Sequence, residues 1–215
     1  MSRLSPQQRE INNSSKLSKV PIIIKYMCEH IDNLQTVKRL CRYLTLDPLE
    51  EASLDYNNKL VMQPDLHDSL LKKSFKDKNI SPGATEQVLF PYMFSGDVLE
   101  STHPYIFVFC DDVYFTRNAS GNLSNMGYMK FKVEIVYDIN TERLDNWNTR
   151  AWSIAQEVMN LFDGITVTEE EYVDKIGNVE FEFKDHPLRN VKLAPNTTLA
   201  VMTIPFLVNI PAGRL

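Results

Sequence analysis

The stretch "YMKFKVEIVYDI", residues 128–139, alternates apolar and polar side chains and constrains the fold more than any other part of the chain. One side of such a strand carries Met129, Phe131, Val133, Ile135 and Tyr137, and the other carries Lys130, Lys132, Glu134 and Asp138. A period of two predicts a strand with one face on a core and one face in water, as antiparallel sheets commonly have.

The aromatic and β-branched run "HPYIFVFCDDVYF", residues 103–115, predicts a second strand before this one. The two runs should form an antiparallel hairpin with a loop at residues 117–127. Hairpin turns need only about two to five residues, so this loop is longer than the hairpin requires.

Residues 147–163 predict an amphipathic helix after the hairpin. Apolar side chains recur there at helical spacing, which places on one stripe Trp147, Ala151, Ile154, Ala155, Val158, Leu161 and Phe162. Asp145 or Asn146 can cap the start of this helix, and Asp163-Gly164 can end it. Trp152 falls off the stripe, so we expect it at the edge of the stripe or on a subunit interface.

The remaining apolar runs predict further strands around this helix. "QVLFPYMF" predicts an edge strand or a bent one because it contains Pro91. "NVEFEF", "LRNVKL" and "TLAVMTIPFLVNI" predict the closing strands. The element order predicts an α+β fold, with a mostly antiparallel sheet, one packing helix (147–163) and an N-terminal helical segment.

Composition and predicted elements divide the chain into three regions. Residues 1–19 are polar and predict a flexible arm that a partner orders. Residues 20–86 predict a helical segment with a long surface excursion, in which Asp32 and Gln35 form a start signal for a second helix. Residues 87–215 form the predicted α+β domain.

Composition narrows the class of protein. The 215 residues carry a net charge of −5, so a basic surface that wraps nucleic acid is not indicated. Cys28, Cys41 and Cys110 lie far apart and have apolar neighbours, which predicts buried free thiols. The absence of an apolar leader and of any run of about 18 apolar residues predicts a protein of the cytosol, or one assembled from it.

Few residues suggest catalysis. Asp111 and Asp112 could join Glu134 in a Mg²⁺ site, but neighbours on a strand point to opposite faces, so we expect only one of the two to reach Glu134. The histidines lack metal-ligand spacing, and they are His30, His67, His103 and His186. Sequence contexts typical of a Ser or Cys nucleophile and of a phosphate-binding loop are absent.

Residues 88–210 resemble the tail terminator proteins of long-tailed bacteriophages and their tail-completion, or head–tail joining, relatives. The resemblance rests on "LFPYMF", "HPYIFVFCDDVYF", "MGYMKFKVEIVYDI" and "DNWNTRAWSIAQEVMNLFDG", followed by closing strands. The family's helix is written roughly x-R-A-x-x-I-A-x-x-V, and here the pattern is filled by Arg150, Ala151, Ile154, Ala155 and Val158. "VKRLCRYLTLDPL" is similar to stretches of neck and tail-joining proteins.

The resemblance implies a structural virion protein without enzymatic activity or cofactor. It implies a homo-hexameric ring that caps the finished tail tube and docks on the head connector or neck protein, assembled in the host cytoplasm, with no membrane partner. DNA passes through such a ring without specific binding. Another connector ring or a tube-like subunit is the alternative of the same class, and a Mg²⁺-dependent nuclease using Asp112 and Glu134 is the alternative of a different class.

Within such a ring, the sheet would line or border the channel. The candidate channel-facing residues are the acidic side chains Glu134, Asp138, Glu180 and Glu182, which would repel DNA phosphates. Alternatively, Lys130 and Lys132 pair across strands with Glu180 and Glu182 and leave a nearly neutral surface. The loop at 117–127 is the candidate contact to a neighbouring subunit or partner, through Arg117, Asn118 and Asn122.

Overall fold

The computed structural model describes residues 18–49, 52–54, 60–62, 66, 69–71, 87–93, 103–117, 123–145, 148–183, 189–193 and 197–210. The helices are α1 (Lys19–Asp32), α2 (Gln35–Arg42), α3 (Arg150–Phe162) and α4 (Glu170–Ile176), with a 3-10 turn at Ile139–Thr141. The strands are β1 (Ala52–Leu54), β2 (Leu60–Met62), β3 (Leu89–Phe90), β4 (Tyr105–Arg117), β5 (Leu123–Asp138), β6 (Glu180–Glu182), β7 (Arg189–Lys192) and β8 (Leu199–Ile210). The chain therefore has the α+β fold that the sequence predicts.

Strands β3 to β8 form one sheet in the order β3-β4-β5-β8-β6, with β7 also paired to β8. The pairs β4–β5, β5–β8, β6–β8 and β7–β8 are antiparallel, whereas β3 runs parallel to β4. The sheet is thus mostly antiparallel, as predicted. In the described sheet β3 is an edge strand, and Pro91 follows it directly, which agrees with the inability of proline to donate to a further strand.

Helix α3 packs on the face of the sheet that carries the apolar residues of β5. Its buried apolar side chains form one stripe, and they are Ala151, Ile154, Ala155, Val158 and Phe162. The Phe162 ring lies 5.2 Å from Phe181 of β6 and 5.8 Å from Phe206 of β8. The predicted stripe is confirmed for these five residues, whereas Leu161 is only partly buried and Trp147 lies outside the described residues.

The start of α3 differs from the prediction, whereas its end agrees. Thr149, and neither Asp145 nor Asn146, is the N-cap, because the Thr149 hydroxyl oxygen accepts a hydrogen bond from the Trp152 N–H. At the other end Gly164 has φ of +70°, a conformation that glycine adopts without strain, directly after Asp163.

Helices α1 and α2 share the core of the sheet. The cluster of buried apolar side chains that contains β5 and α3 also contains Ile23, Met27 and Ile31 of α1 and Val37 and Leu40 of α2. Helix α1 begins at Lys19, the last residue of the predicted arm, and residues 1–17 lie outside the described part. Most of the predicted excursion between residues 50 and 86 also lies outside it, so the proposed boundary at residue 86 stays a prediction.

Asp32 does not start α2, which corrects the predicted signal. It remains the last residue of α1, and Leu34 occupies the N-cap position of α2 without a side-chain hydrogen bond. The Asp32 carboxylate instead accepts hydrogen bonds from the Ser69 hydroxyl at 2.8 Å and the Leu70 N–H at 2.6 Å. The tight turn between the two helices leaves Asp32 pointing at this neighbouring segment.

The second face of the sheet, here called the outer face, carries Lys130, Lys132 and Glu134 on β5 together with the residues paired to them. It is not uniformly wet, contrary to the prediction. Phe107 pairs with Glu134 and is fully buried, and Phe90 of β3 stacks on the Phe107 ring at 5.0 Å. The outer face is therefore apolar and buried around Phe107 and Phe90, and charged around Lys130 and Lys132.

The loop predicted at 117–127 is mostly strand. Arg117 is the last residue of β4 and pairs with Leu123, and Phe115 pairs with Gly127. The connecting residues are therefore 118–122, which is a length that hairpin turns commonly have. The polar composition of "RNASGNLSNMG" favoured a loop, and the backbone pairing shows that strand continues into it from both sides.

Candidate functional site

A β-bulge at Asp111 gathers charged side chains on the outer face. Cys110 pairs with Phe131 and Asp112 pairs with the next residue, Lys130, so Asp111 is an extra residue in β4. The Asp111 carboxylate lies 2.9 Å from the Lys132 Nζ and 3.6 Å from the Lys130 Nζ. These three side chains are 20–26% exposed, so water screens the ion pairs only in part.

The same bulge turns Asp112 to the outer face. The Asp112 carboxylate accepts a hydrogen bond from the Tyr114 hydroxyl at 3.2 Å, and the Tyr114 ring stacks on the Tyr128 ring at 4.5 Å. Tyr128 and Lys130 are two residues apart on β5 and share a face. The expectation that Asp111 and Asp112 point to opposite faces is therefore wrong, because the bulge breaks the strict alternation of the strand.

Glu134 lies beside this cluster rather than in a metal site. Burial raises the pKa of Glu134 above its ordinary value. The charge of Lys132 opposes this shift in part, and the charge of Asp111 adds to it. The carboxylate that acts on Glu134 is thus that of Asp111, not of Asp112 as the nuclease hypothesis required. Within the described ranges, no group of three or more His, Cys, Asp or Glu side chains could hold a metal ion. Two lysine ammonium groups flank Asp111 where a cation would bind.

The four predicted channel-facing residues do not form one cluster. Glu134 lies in the middle of β5, whereas the Asp138 carboxylate caps the 3-10 turn by accepting from the Asn140 N–H at 2.8 Å. Glu180 and Glu182 lie on β6, and β8 separates them from β5. Lys130 pairs with Leu207 and Leu207 pairs with Glu182, so the lysines and Glu182 do not lie directly opposite each other on adjacent strands. The predicted ion pairing of the lysines with Glu180 and Glu182 stays a prediction. Whether any of these acids faces a channel stays a prediction.

The predicted contact residues belong to the end of β4 and to the connection between β4 and β5 in the sequence. Arg117 ends β4, and Asn118 and Asn122 lie outside the described residues. Below the tip, Tyr114 and Tyr128 are 42% and 36% exposed. The stacked tyrosines form an aromatic surface on the outer face, which we call the tyrosine pair.

A second exposed surface lies on α3, away from the sheet. Trp152 is 45% exposed, in agreement with its predicted position off the buried stripe. It borders a shallow groove of about 310 Å³ that is also lined by Asn148, Ala155, Gln156, Met159 and Asn160. Among the described residues that line the groove, none is charged, in a chain that is 24% charged. We call this surface the tryptophan groove.

Arg150 is a structural centre that the sequence analysis did not recognise. Its side chain is fully buried, and its guanidinium donates hydrogen bonds to four main-chain carbonyl groups. The acceptors are Leu40 and Tyr43 at 2.7 Å, Thr45 at 2.9 Å and Thr141 at 3.2 Å. The side chain thus ties the end of α2 to the start of α3. The one indication in the sequence was an arginine directly before the apolar stripe of α3. Because arginine side chains are ordinarily exposed to solvent, it did not indicate a buried side chain.

Glu142 completes this junction. Its carboxylate accepts a hydrogen bond from the Ala151 N–H at 2.9 Å, at the start of α3, where the helix dipole favours negative charge. Burial raises the pKa of Glu142 to about 7, although the Ala151 N–H and the charge of Arg150 oppose that shift. The second carboxylate oxygen, Oε1, is buried without a hydrogen-bond partner. A buried acid of this kind couples the junction to pH.

Two of the cysteines and His103 lie in the core. Cys28 and Cys41 are buried free thiols as predicted, whereas Cys110 is only partly buried. Burial raises the pKa of Cys28 and of Cys41 to about 12, so neither is a ready nucleophile. His67 and His186 lie outside the described residues. The His103 ring bonds to the Cys41 carbonyl oxygen at 3.0 Å. Among the described residues, none of the helices is long and apolar enough to cross a membrane.

Comparison with known proteins adds no family to this description. Neither a protein-family model nor a curated protein sequence matches the chain.

Proposed function

We propose that the chain is a structural subunit of a phage virion that forms a ring at the head-proximal end of the tail. In this function the ring ends growth of the tail tube and joins the tail to the head connector. The partners are further copies of the chain, the tail tube protein and a neck or connector protein, with DNA passing through the centre. A different connector ring is the alternative within the same class.

The observation that carries the proposal is the pair of exposed aromatic surfaces on opposite sides of the sheet. The tyrosine pair lies on the outer face, whereas the tryptophan groove lies on the helix that covers the other face. Tyrosine, tryptophan and methionine are enriched at protein interfaces, and charged residues are depleted at their centres. A ring requires head-to-tail contacts between two different surfaces of the same subunit, and this arrangement supplies two.

The charge arrangement of the outer face is compatible with passage of DNA. Lys130 and Lys132 both form ion pairs with Asp111, which compensates part of their positive charge. A face of paired charges neither grips the DNA backbone nor repels it strongly. Because rings occur in several kinds of assembly, the choice of a tail terminator ring rests on the resemblance of residues 88–210 to tail terminator proteins.

The first experiment measures the mass of the purified full chain by mass photometry and analytical ultracentrifugation, alone and with tail tubes. We expect a closed particle of six times the 24.8 kDa of one chain, free or bound to tube ends. Trp152→Ser and the double variant Tyr114→Ser/Tyr128→Ser should each remain folded and fail to close the ring. Val191→Ser, which removes a 60% exposed apolar side chain elsewhere, is the matched control and should assemble normally.

A chain that stays monomeric with and without tail tubes would refute the ring. The nuclease alternative is tested on the same material by incubation with DNA and Mg²⁺. Cleavage that is lost in Asp112→Asn and Glu134→Gln would favour that alternative. We expect no cleavage above the level of a mock purification.

The hairpin tip provides the test of tail joining. Replacing residues 118–122 by a two-residue Asn-Gly turn should preserve the register of β4 and β5, because Arg117 already pairs with Leu123. The variant should therefore fold and form rings, while particles made with it should appear by electron microscopy as full heads beside unattached tails. Normal, infectious virions would show that the tip carries no joining contact.

A further inference from the structure

Helix α2 buries polar side chains as well as apolar ones. Lys38 is 6% exposed and Arg42 is fully buried, although lysine and arginine are rarely buried unless they have partners. Among the described residues, their hydrogen-bond acceptors include main-chain carbonyl groups of a short segment that precedes β3 in the sequence. The described part of this segment is residues 66 and 69–71, and we call it the strap.

Side chains of α2 hold the strap by its main chain. The Gln35 side-chain amide donates to the Leu66 carbonyl oxygen at 3.2 Å and accepts from the Leu66 N–H at 2.7 Å. A neighbouring strand residue would make the same two kinds of bond. Lys38 Nζ donates to the Leu66 carbonyl oxygen at 3.1 Å, and the Arg42 guanidinium donates to the Ser69 carbonyl oxygen at 3.3 Å.

The end of α1 and the start of β3 hold the other half of the strap. The Asp32 carboxylate accepts hydrogen bonds from the Ser69 hydroxyl and the Leu70 N–H. The Leu70 carbonyl oxygen accepts from the N–H groups of Val88 and Leu89, both at 3.0 Å. The strap therefore lies in a site, here called the strap site, that is formed by α2, the end of α1 and the start of β3.

These contacts are of the kind by which proteins bind peptide segments. Hydrogen bonds to the main chain provide affinity, and pockets for side chains provide selectivity. Leu66 and Leu70 are 3% and 0% exposed, so two leucines are the side-chain anchors. Near them the sequence carries Asp65 and Asp68, whereas α2 carries basic residues and no acidic one. The strap site thus fits an acidic segment with two leucines separated by three residues.

The strap is separated in sequence from both sides of its site. Residues 43–65 lie between it and α2, and residues 72–86 lie between it and the segment at β3. A linker of the length of residues 72–86 spans up to about 50 Å when it is extended. A compact domain of this chain length has a radius of gyration of about 17 Å. The linker is therefore long enough to reach an adjacent copy of the chain.

We propose that the strap site binds the strap of a second copy of the chain in place of its own, so that exchanged segments join the two copies. The second copy is the occupant because it carries the identical segment and reproduces every contact described above. Exchange of an identical element between copies costs little, since the same bonds form in both states. This inference goes beyond the proposed ring and does not depend on it, because two copies are sufficient.

The first test measures binding of a fluorescein-labelled peptide of residues 63–71 to the full chain by fluorescence anisotropy. Leu66→Ala weakens the chain's own strap, so this variant should bind the peptide at least about tenfold more tightly than the wild type does. Adding Gln35→Ala should weaken that binding about tenfold, as expected for loss of two hydrogen bonds. Adding Gln156→Ala instead, on α3, is the matched control and should leave the affinity unchanged.

The second test keeps the two leucine anchors intact. The photo-crosslinking amino acid benzoylphenylalanine replaces the half-buried Leu71, and copies grown on heavy and on ordinary nitrogen are mixed in equal amounts. After incubation and irradiation, mass spectrometry identifies the crosslinked peptides that join residue 71 to residues 32–42. Exchange predicts that about half of these crosslinks join a heavy copy to an ordinary one, which is the random proportion.

A folded Leu66→Ala chain that binds the peptide no more tightly than the wild type would overturn the strap site. Crosslinks that join residue 71 to residues 32–42 only within one isotope would overturn exchange between copies. That result would be independent of the ring, because a ring without exchanged straps also gives crosslinks of one isotope between these two segments.

Discussion

Replacement of the buried Arg150 by alanine should destabilise the fold more than any surface change. The substitution removes the donor from four main-chain carbonyl groups and leaves the Glu142 carboxylate without its nearby cation. A hydrogen bond to a charged group contributes about 1.5–3 kcal/mol, but the four bonds do not add, because burying the guanidinium itself costs free energy. Removal of one partner from a buried charged network costs about 3–5 kcal/mol, and we expect a loss in that range.

For a chain of this size 1 kcal/mol corresponds to about 2–4 °C in melting temperature, so the Tm should fall by roughly 6–20 °C. Urea denaturation followed by circular dichroism gives the free energy of unfolding directly. Arg150→Lys should recover only part of the loss, because an ammonium group cannot reach four carbonyl groups in the planar arrangement of a guanidinium. Arg189→Ala, on the exposed strand β7, is the matched control and should change stability by less than about 0.5 kcal/mol. An Arg150→Ala protein that melts within about 2 °C of the wild type would refute the reasoning.

Two further predictions concern the same junction and the core. Ile154→Asp should unfold the domain, since Ile154 is fully buried and the new carboxylate would have no partner, and a cooperative melt of a soluble variant would contradict this. Burial raises the pKa of Glu142 in the folded chain to about 7, so the fold favours the protonated carboxyl group. This stabilisation is fully present below the pKa of an exposed glutamate and is lost as the pH rises through about 7. Glu142→Gln should therefore flatten the decline of unfolding free energy between about pH 4.5 and pH 7, and an unchanged pH profile would show that Glu142 does not titrate in this range.

The regular elements were predictable because their physics is local. Alternation in residues 128–139 fixed which face of β5 is buried, and helical spacing fixed the buried stripe of α3 from Ala151 to Phe162. Such patterns depend only on the geometry of a strand or a helix. Helix α4 escaped prediction because Glu169, Glu170 and Glu171 made its segment look like a solvated loop, and only Tyr172 and Ile176 are buried.

Features that depend on distant residues were not predictable. The bulge at Asp111 leaves no mark in the sequence, since it is defined by the register against Lys130 and Phe131 on another strand. The four acceptors of Arg150 lie in two segments up to 110 residues away. Asp32 and Gln35 match the spacing of a helix start signal, but the Asp32 carboxylate instead accepts hydrogen bonds from Ser69 and Leu70. A local pattern limits the conformations and hydrogen bonds that a segment can adopt, and contacts with distant residues determine which of them the fold contains.

The position of β8 has a consequence for the order in which this fold can form. Within the described part of the chain, β7 pairs only with β8, and β8 is also the second neighbour of β5. Strand β6 has an earlier partner as well, since Glu180 bridges to Thr166. Residues 199–210 follow all of these strands in the sequence, so β7 remains without its strand partner until β8 has been synthesised. Pairing between strands that are far apart in sequence is slow to form. Until β8 is present, the edge of β5 that it will cover is also unpaired, and an unpaired strand edge of this kind is open to pairing with other chains.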